Sequence, residues 1–189
     1  MNARAIVVTL LVALPAGNMA GLLLLAGCTV AGTTRALAYY RRAKSYARDG
    51  DYDRAIAYYD TTLTLFAHPL ATEVFIDRGV AYYWKGMVPR AIADFDTALS
   101  IYPDEPRALA NRGAAYLDVK QPARALVDLS AALRIQPGIT WARHRRARAF
   151  AALDSFPRAV ADLDTVLVVW TNRPEVVAER ARLVLRVRQ

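Results

Sequence analysis

The chain has 189 residues, 55% of them apolar, with nine glycines and nine prolines, which excludes low-complexity and collagen-like polypeptides and allows one domain with a real core. Lys and Arg number 25 against 17 Asp and Glu, a net charge of +8; such an excess attracts nucleic acid, anionic lipid or an acidic protein surface, but it is spread along the chain as single Arg residues and reads first as a solvated surface. The single cysteine excludes an internal disulfide, and the fold must stand on packing alone.

Met1 to Arg4 is a short positive start, and Ala5 to Gly27 follows with no charged residue. Length alone permits a spanning helix, which needs about 20 residues. Pro15, Gly17, Asn18 and Gly21 interrupt the run. A charged start, an apolar middle and small residues at the end read better as an export signal over residues 1–27.

Leu25-Ala26-Gly27-Cys28 resembles the lipobox of bacterial lipoprotein precursors. That resemblance implies diacylation of the Cys28 thiol, cleavage just before it, and acylation of the new amine by a chain such as palmitate. Two or more acyl chains, at about 0.8 kcal/mol per buried methylene, anchor firmly where one is marginal. Thr29 after the cysteine, where Asp would retain the protein, implies the outer membrane, periplasmic side. The alternative is a plain signal or anchor helix that happens to contain a cysteine. Residues 28–35 read as the lipidated Cys28 and a tether, "TVAGTTR", which reaches about 25 Å when extended.

From residue 36 the chain repeats itself. Arg54-Ala55, Arg90-Ala91, Arg124-Ala125 and Arg158-Ala159 recur at intervals of 36, 34 and 34. Arg42-Ala43, Arg78-Gly79, Arg112-Gly113, Arg146-Ala147 and Arg180-Ala181 recur at 36, 34, 34 and 34. The extra two residues fall in "LFAHPLAT", 65–72. Each unit reads as two helices. In the second, Phe75, Gly79 and Tyr82 form one stripe, Gly86 ends that helix, Pro89 opens the next, and Ala91, Phe95, Ala98 and Leu99 form the second stripe. In the first, Gly50-Asp51 occupies the same turn, with Asp51 an N-cap.

This spacing of large, small, aromatic, Ala, aromatic, Ala and Pro resembles the tetratricopeptide repeat (TPR) family. The second unit supplies Phe75, Gly79, Tyr82, Ala91, Phe95, Ala98 and Pro103, and the third supplies Leu109, Gly113, Tyr116, Ala125, Leu129, Ala132 and Pro137. The fourth departs most: Arg143 stands at a large apolar position, Val166 replaces the second Ala, and Thr171 replaces Pro. The resemblance implies an all-α fold, a right-handed α-solenoid of four helix-turn-helix repeats at 36–71, 72–105, 106–139 and 140–173. Residues 174–189 form a capping helix, whose Val177, Ala181 and Val184 repeat the first-helix stripe. Arg90/Asp94, Arg124/Asp128 and Arg158/Asp162 read as i,i+4 pairs worth about 0.2–0.5 kcal/mol each. The Arg before each small residue reads as structural, with no evident partner.

The resemblance also implies a concave binding face lined by the first helices. The offsets place there Tyr40, Lys44 and Arg48; Ile76, Tyr83 and Trp84; Arg107, Leu117 and Asp118; Trp141, His144 and Arg148; and Arg182 and Arg186 from the cap. Tyr, Trp and Arg are hot-spot residues, and such a groove suits an extended or helical peptide of acidic character. A solvated, Arg-rich inner face is the plainer reading. Some TPR domains hold a C-terminal carboxylate in a Lys/Asn/Arg clamp; here Tyr40 and Asp77 stand where those carry Lys and Asn, so that activity is not expected.

Catalysis has little support. His68 and His144 have no Cys or Glu at metal-ligand spacing, and there is no serine elbow or phosphate loop. No cofactor, metal or nucleic-acid partner is expected. The expected function is a membrane-anchored protein-interaction scaffold of the bacterial envelope. The alternative is a basic surface protein binding polyanions such as lipopolysaccharide, teichoic acid or nucleic acid.

Overall fold

The computed structural model describes residues 19–65 and 71–188, with side chains from Gly32 onward. The positive start, the first part of the apolar run, and His68 and Pro69 of the inserted turn lie outside the described residues. Among the described residues there are nine helices and no strand: α1 (Met19–Arg48), α2 (Tyr52–Leu65), α3 (Ala71–Trp84), α4 (Val88–Ile101), α5 (Pro106–Asp118), α6 (Pro122–Ile135), α7 (Thr140–Ala152), α8 (Phe156–Val169) and α9 (Pro174–Val187). They pack in chain order, each first helix on the second helix of its own unit and on that of the unit before. This is the solenoid of four helix pairs and a last helix that the period predicts.

One expectation is corrected at the N-terminal end. Residues 29–35, read as an extended tether, are part of α1. Gly32 is the only glycine between Cys28 and Arg48 and there is no proline, so a helix fixed within the first repeat propagates back through them. Seven helical residues advance about 10 Å where seven extended ones reach about 25 Å. Among the described residues no helix is long and apolar enough to cross a membrane.

The turn inside each unit closes the same way. Met87 N–H donates to the Tyr82 carbonyl at 2.8 Å and Gly86 N–H to that of Tyr83 at 2.9 Å, the paired bonds of a Schellman cap. The residue at the cap has φ of 79° at Gly50 and Gly86, 60° at Lys120 and 56° at Asp154. Two units therefore place a side chain where glycine is favoured. Asp51 caps α2, its Oδ1 accepting from Arg54 N–H at 3.1 Å.

The helix crossings explain the small residues. A Cβ on Gly79 would lie 2.7 Å from Phe95 Cε1, and one on Gly113 2.7 Å from Leu129 Cγ and 3.2 Å from the Ala125 carbonyl oxygen. Backbone and ring thus meet with no room for a methyl group. Phe95, Leu129 and Leu163, each fully buried, fill the equivalent place in successive units.

The carboxylates expected to pair along one helix pair across two. Asp94 accepts from Arg78 Nε and Nη2 at 2.8 and 2.6 Å, Asp128 from Arg112 at 2.7 and 2.8 Å, and Asp162 from Arg146 at 2.8 and 2.7 Å. The i,i+4 pairing is thereby corrected. Each Asp points into its own helix pair, where it is buried, while Arg90, Arg124 and Arg158 lie over the rings of Tyr82, Tyr116 and Phe150 at 5.7, 5.2 and 5.8 Å. A fork of donors on a two-oxygen acceptor is the stronger geometry, which explains why the Arg preceding the small residue recurs. Asp60 and Asp96, from the preceding unit, reach the Nη1 of Arg78 and Arg112 at 2.6 and 2.7 Å.

The docking face of the last helix is corrected. It docks through Val176, 1% exposed, and Leu183, against Ala147, Leu163 and Val166. Of the expected stripe, Val177 is 49% exposed and Ala181 is exposed, while Val184 is half-buried.

Candidate functional site

The first helices α1, α3, α5, α7 and α9 lie side by side, and polar contacts cross between them in three rungs. In the first, Tyr40 of α1 donates from its hydroxyl to Asp77 Oδ2 of α3 at 2.6 Å, and Arg107 Nη2 of α5 donates to Asp77 Oδ1 at 2.7 Å. In the second, Tyr83 donates to Asp118 Oδ2 at 2.5 Å, while Arg145 lies 3.6 Å from Asp118 Oδ1 and 3.4 Å from the Tyr83 hydroxyl. In the third, His144 Nε2 meets Glu179 Oε2 of α9 at 2.8 Å, and the Trp170 ring abuts the imidazole edge-on.

These rungs leave marks on the ionisable groups. Burial, then the hydrogen bond to Asp77, pushes the Tyr40 hydroxyl well above the usual phenol range. Burial, then the hydrogen bond to Asp118, raises the Tyr83 hydroxyl as well. The hydrogen bond from His144, with Arg148 and Arg182 nearby, lowers Glu179 below the usual carboxylate range. Asp77, Asp118 and Glu179 are thus engaged by the protein itself.

The bases are not all matched. Lys44 lies over the Tyr40 ring at 5.4 Å, and Lys44, Arg48 and Trp84 line a cleft of about 230 Å³ with Tyr52, Asp77 and Val80. Trp84 is 63% exposed, its ring edge-on to Tyr83. Arg148 and Lys120 line a second cleft with Leu117 and Asp118, and Arg182 and Arg186 a third with Glu179 and Phe156. Lys44, Arg48, Lys120, Arg148 and Arg182 are exposed and, among the described residues, have no carboxylate of their own within ion-pair distance. Trp84 shares its cleft with Lys44 and Arg48.

Two expected wall residues are not on the open surface. Tyr40 is 7% exposed and Ile76 is 1% exposed, because their offset faces the neighbouring helices as well as the hollow. Arg107 is accessible but held by Asp77. Trp141 is 38% exposed and makes no ring contact or hydrogen bond with the other wall residues. Arg145 and Glu179 were not among the expected wall residues, and Asp77 was read only as a departure from the carboxylate clamp. They share one offset, the residue after Ile76, His144 and Ala178, with Asn111 at that offset in the third repeat, so a polar row beside the expected row was the available signal. Among the described residues no three His, Cys, Asp or Glu side chains are grouped to hold a metal.

A family model described as Tetratricopeptide repeat matches residues 40–106 and again 76–138, together more than half of the chain. The photosystem I assembly protein Ycf3 of Synechococcus sp. (strain WH7803) is 34% identical over 77 residues, 40% of this chain and 44% of that protein; the match spans less than half of that relative. Among solved structures, the first TPR of Spaghetti (RPAP3) bound to the HSP90 peptide SRMEEVD is 25% identical with a TM-score of 0.61, covering 65% of this chain and 98% of that one. MamA from Desulfovibrio magneticus RS-1 is 20% identical with a TM-score of 0.72, covering 80% of this chain and 84% of that one; it shares the fold.

Proposed function

The chain belongs to the tetratricopeptide repeat family, and from that premise we propose that it is a lipid-anchored interaction scaffold of the bacterial envelope. Its hollow side holds an acidic peptide or helix of another protein. The observation that carries this reading is Trp84, 63% exposed in a cleft with Lys44 and Arg48, neither of which has a carboxylate within ion-pair distance among the described residues. An exposed indole in a cleft is an anchor for apolar contact, and unmatched guanidinium groups around it select acidic flanks. The RPAP3 domain, to which this chain is similar, was solved with a peptide carrying two Glu and one Asp, which supports a peptide ligand. The mode of capture differs from a carboxylate clamp, since Asp77 already occupies Arg107.

Replacing Trp84 and Arg148 together by Ala tests the groove. Loss of peptide binding with an unchanged melting temperature supports it; retained binding removes the site. The anchor rests on Leu25-Ala26-Gly27-Cys28, and on outer-membrane sorting by Thr29. Cys28→Ala tests it: the variant precursor stays uncleaved and unlipidated, and normal processing refutes the anchor.

One observation favours a second reading, a polyanion-binding surface. Arg35, Arg41, Arg42 and Arg48 line one concavity on α1 with Ser45 and no acid. Salt separates the two readings, because phosphate-driven binding falls steeply with ionic strength and indole-anchored binding does not.

A further inference from the structure

Each first helix carries an Arg before its small residue, and among the described residues one of these five Arg has no carboxylate. Arg78, Arg112 and Arg146 hold Asp94, Asp128 and Asp162 of their own repeats, and Arg180 meets Asp164 of the unit before it. Arg42 is the exception. Tyr58 stands where the second repeat has Asp94, and Arg42 lies over the Tyr58 ring at 5.9 Å. A ring contact takes the flat of the guanidinium and leaves its N–H donors open. No acid comes before it, because residues 1–48 contain no Asp or Glu. The released fork has company. Arg35 and Arg41 are exposed on the same side of α1 and line one concavity with Arg42, the small Ala38 and Ser45 beside them. Arg48 borders this concavity but also lines the Trp84 cleft, so the face proper is Arg35, Arg41 and Arg42. Among the described residues none of these three has a carboxylate within ion-pair distance. The nearest acid in sequence, Asp49, lies in the turn past Arg48 and pairs with none of them.

We propose that this arginine face seats the phosphates of an anionic lipid surface, so that α1 lies along the membrane. The inference rests on the reading of the chain as membrane-held, and it gives the α1 concavity a particular anion. Met19–Arg48 is one helix. Cys28, Arg35 and Arg42 follow at seven-residue steps and so fall along one line of it, with a drift of about 20° per step. Arg35 is about 10 Å and Arg42 about 21 Å along the axis from Cys28. A helix held at Cys28 therefore needs only to lie down for these residues to reach the headgroups. Its other side, with Tyr40 and Ala43, is buried against α2 and α3. Guanidinium forks match phosphate oxygens in pairs, and an anionic surface attracts bases held within a Debye length of it. Charge rules out other covers. The segment before α1 has Arg4 and no acid, and a second copy would set Arg35, Arg41 and Arg42 against their own kind.

The test places the full processed chain in vesicles of phosphatidylcholine, with or without phosphatidylglycerol. Mass spectrometry then reads how fast phenylglyoxal modifies each arginine. With the anionic lipid, Arg35, Arg41 and Arg42 should react about tenfold more slowly and Arg148 at an unchanged rate. High salt should remove the difference. Tyr58→Asp supplies the carboxylate that the other repeats carry: Arg42 should then react slowly in both vesicles, while Arg35 and Arg41 keep their dependence on lipid. Equal rates in the two vesicles, or slowing of Arg148 as large as that of Arg42, overturn the proposal. So does the same slowing when inorganic phosphate is added to neutral vesicles, since a soluble anion then holds the face. Failure of the anchor reads differently, because the chain then leaves the neutral vesicles. In that case co-sedimentation with the anionic vesicles, abolished by Arg35→Gln with Arg42→Gln, supports the proposal, and its absence overturns it.

Discussion

Arg112 and Asp128, sixteen residues apart on the two helices of one repeat, meet through hydrogen bonds of 2.7 and 2.8 Å, and Asp96 of the preceding repeat closes on the same guanidinium at 2.7 Å. One arginine therefore joins its own helix pair to the one before. The arrangement recurs at Arg78 with Asp94 and Asp60. These ion-paired links hold the first-helix wall at fixed spacing, and the groove depends on that spacing.

Removing the inner partner should cost more than removing the outer one. Asp128 is buried and Asp96 exposed. Asp128→Ala should lower stability by about 2–3 kcal/mol, since it leaves a half-buried guanidinium without its fork partner. Asp96→Ala should lower it by about 1 kcal/mol or less. Urea denaturation of both variants checks the order.

Helix crossing predicts a second asymmetry. Gly113→Ala should destabilise by about 1–3 kcal/mol, because the added carbon meets Leu129 and the Ala125 carbonyl oxygen. The cost should fall when Leu129→Ala is present, since the side-chain part of the clash is then relieved. A double-mutant cycle in urea measures the coupling.

The intra-repeat turns predict a gain. Lys120 holds φ of 60° where two other repeats have glycine. Lys120→Gly should raise stability by about 1 kcal/mol, the left-handed penalty of a side chain less the entropy cost of glycine. Asp154→Gly should gain less, because Asp tolerates that conformation better. Thermal unfolding of the two variants tests the ranking.

Acid should weaken the C-terminal end first. Glu179 is lowered from 4.5 mainly by the hydrogen bond from His144. A lowered carboxylate contributes stability that is present above its unfolded value and lost as pH falls through the folded one. The stability difference between the protein and Glu179→Gln should be full near neutrality and shrink below about pH 4.5. Denaturation across that range checks the sign.

Much of this molecule is legible in the chain, and the reason is periodicity. Two Arg series with one interval fix the helix pairs, and small residues such as Gly79 and Gly113 mark where they cross. What the pattern does not carry is direction around a helix at one-residue resolution. Asp94 is four residues from Arg90 and sixteen from Arg78, and only the packed pair shows that it turns to Arg78. The same shift hid Arg145 and Glu179 beside the expected row, and left Tyr40 and Ile76 buried within it. The stripe of α9 was read from the period, but its largely outward orientation follows from which face Val176 buries.

A site-specific photocrosslinker in living cells tests the account most directly. Placed at Trp84 and at Arg148, it should capture the same polypeptide, while Val127, 70% exposed on α6, should capture none. Capture at Val127 with none at Trp84 or Arg148 would contradict the hollow side as the place of binding.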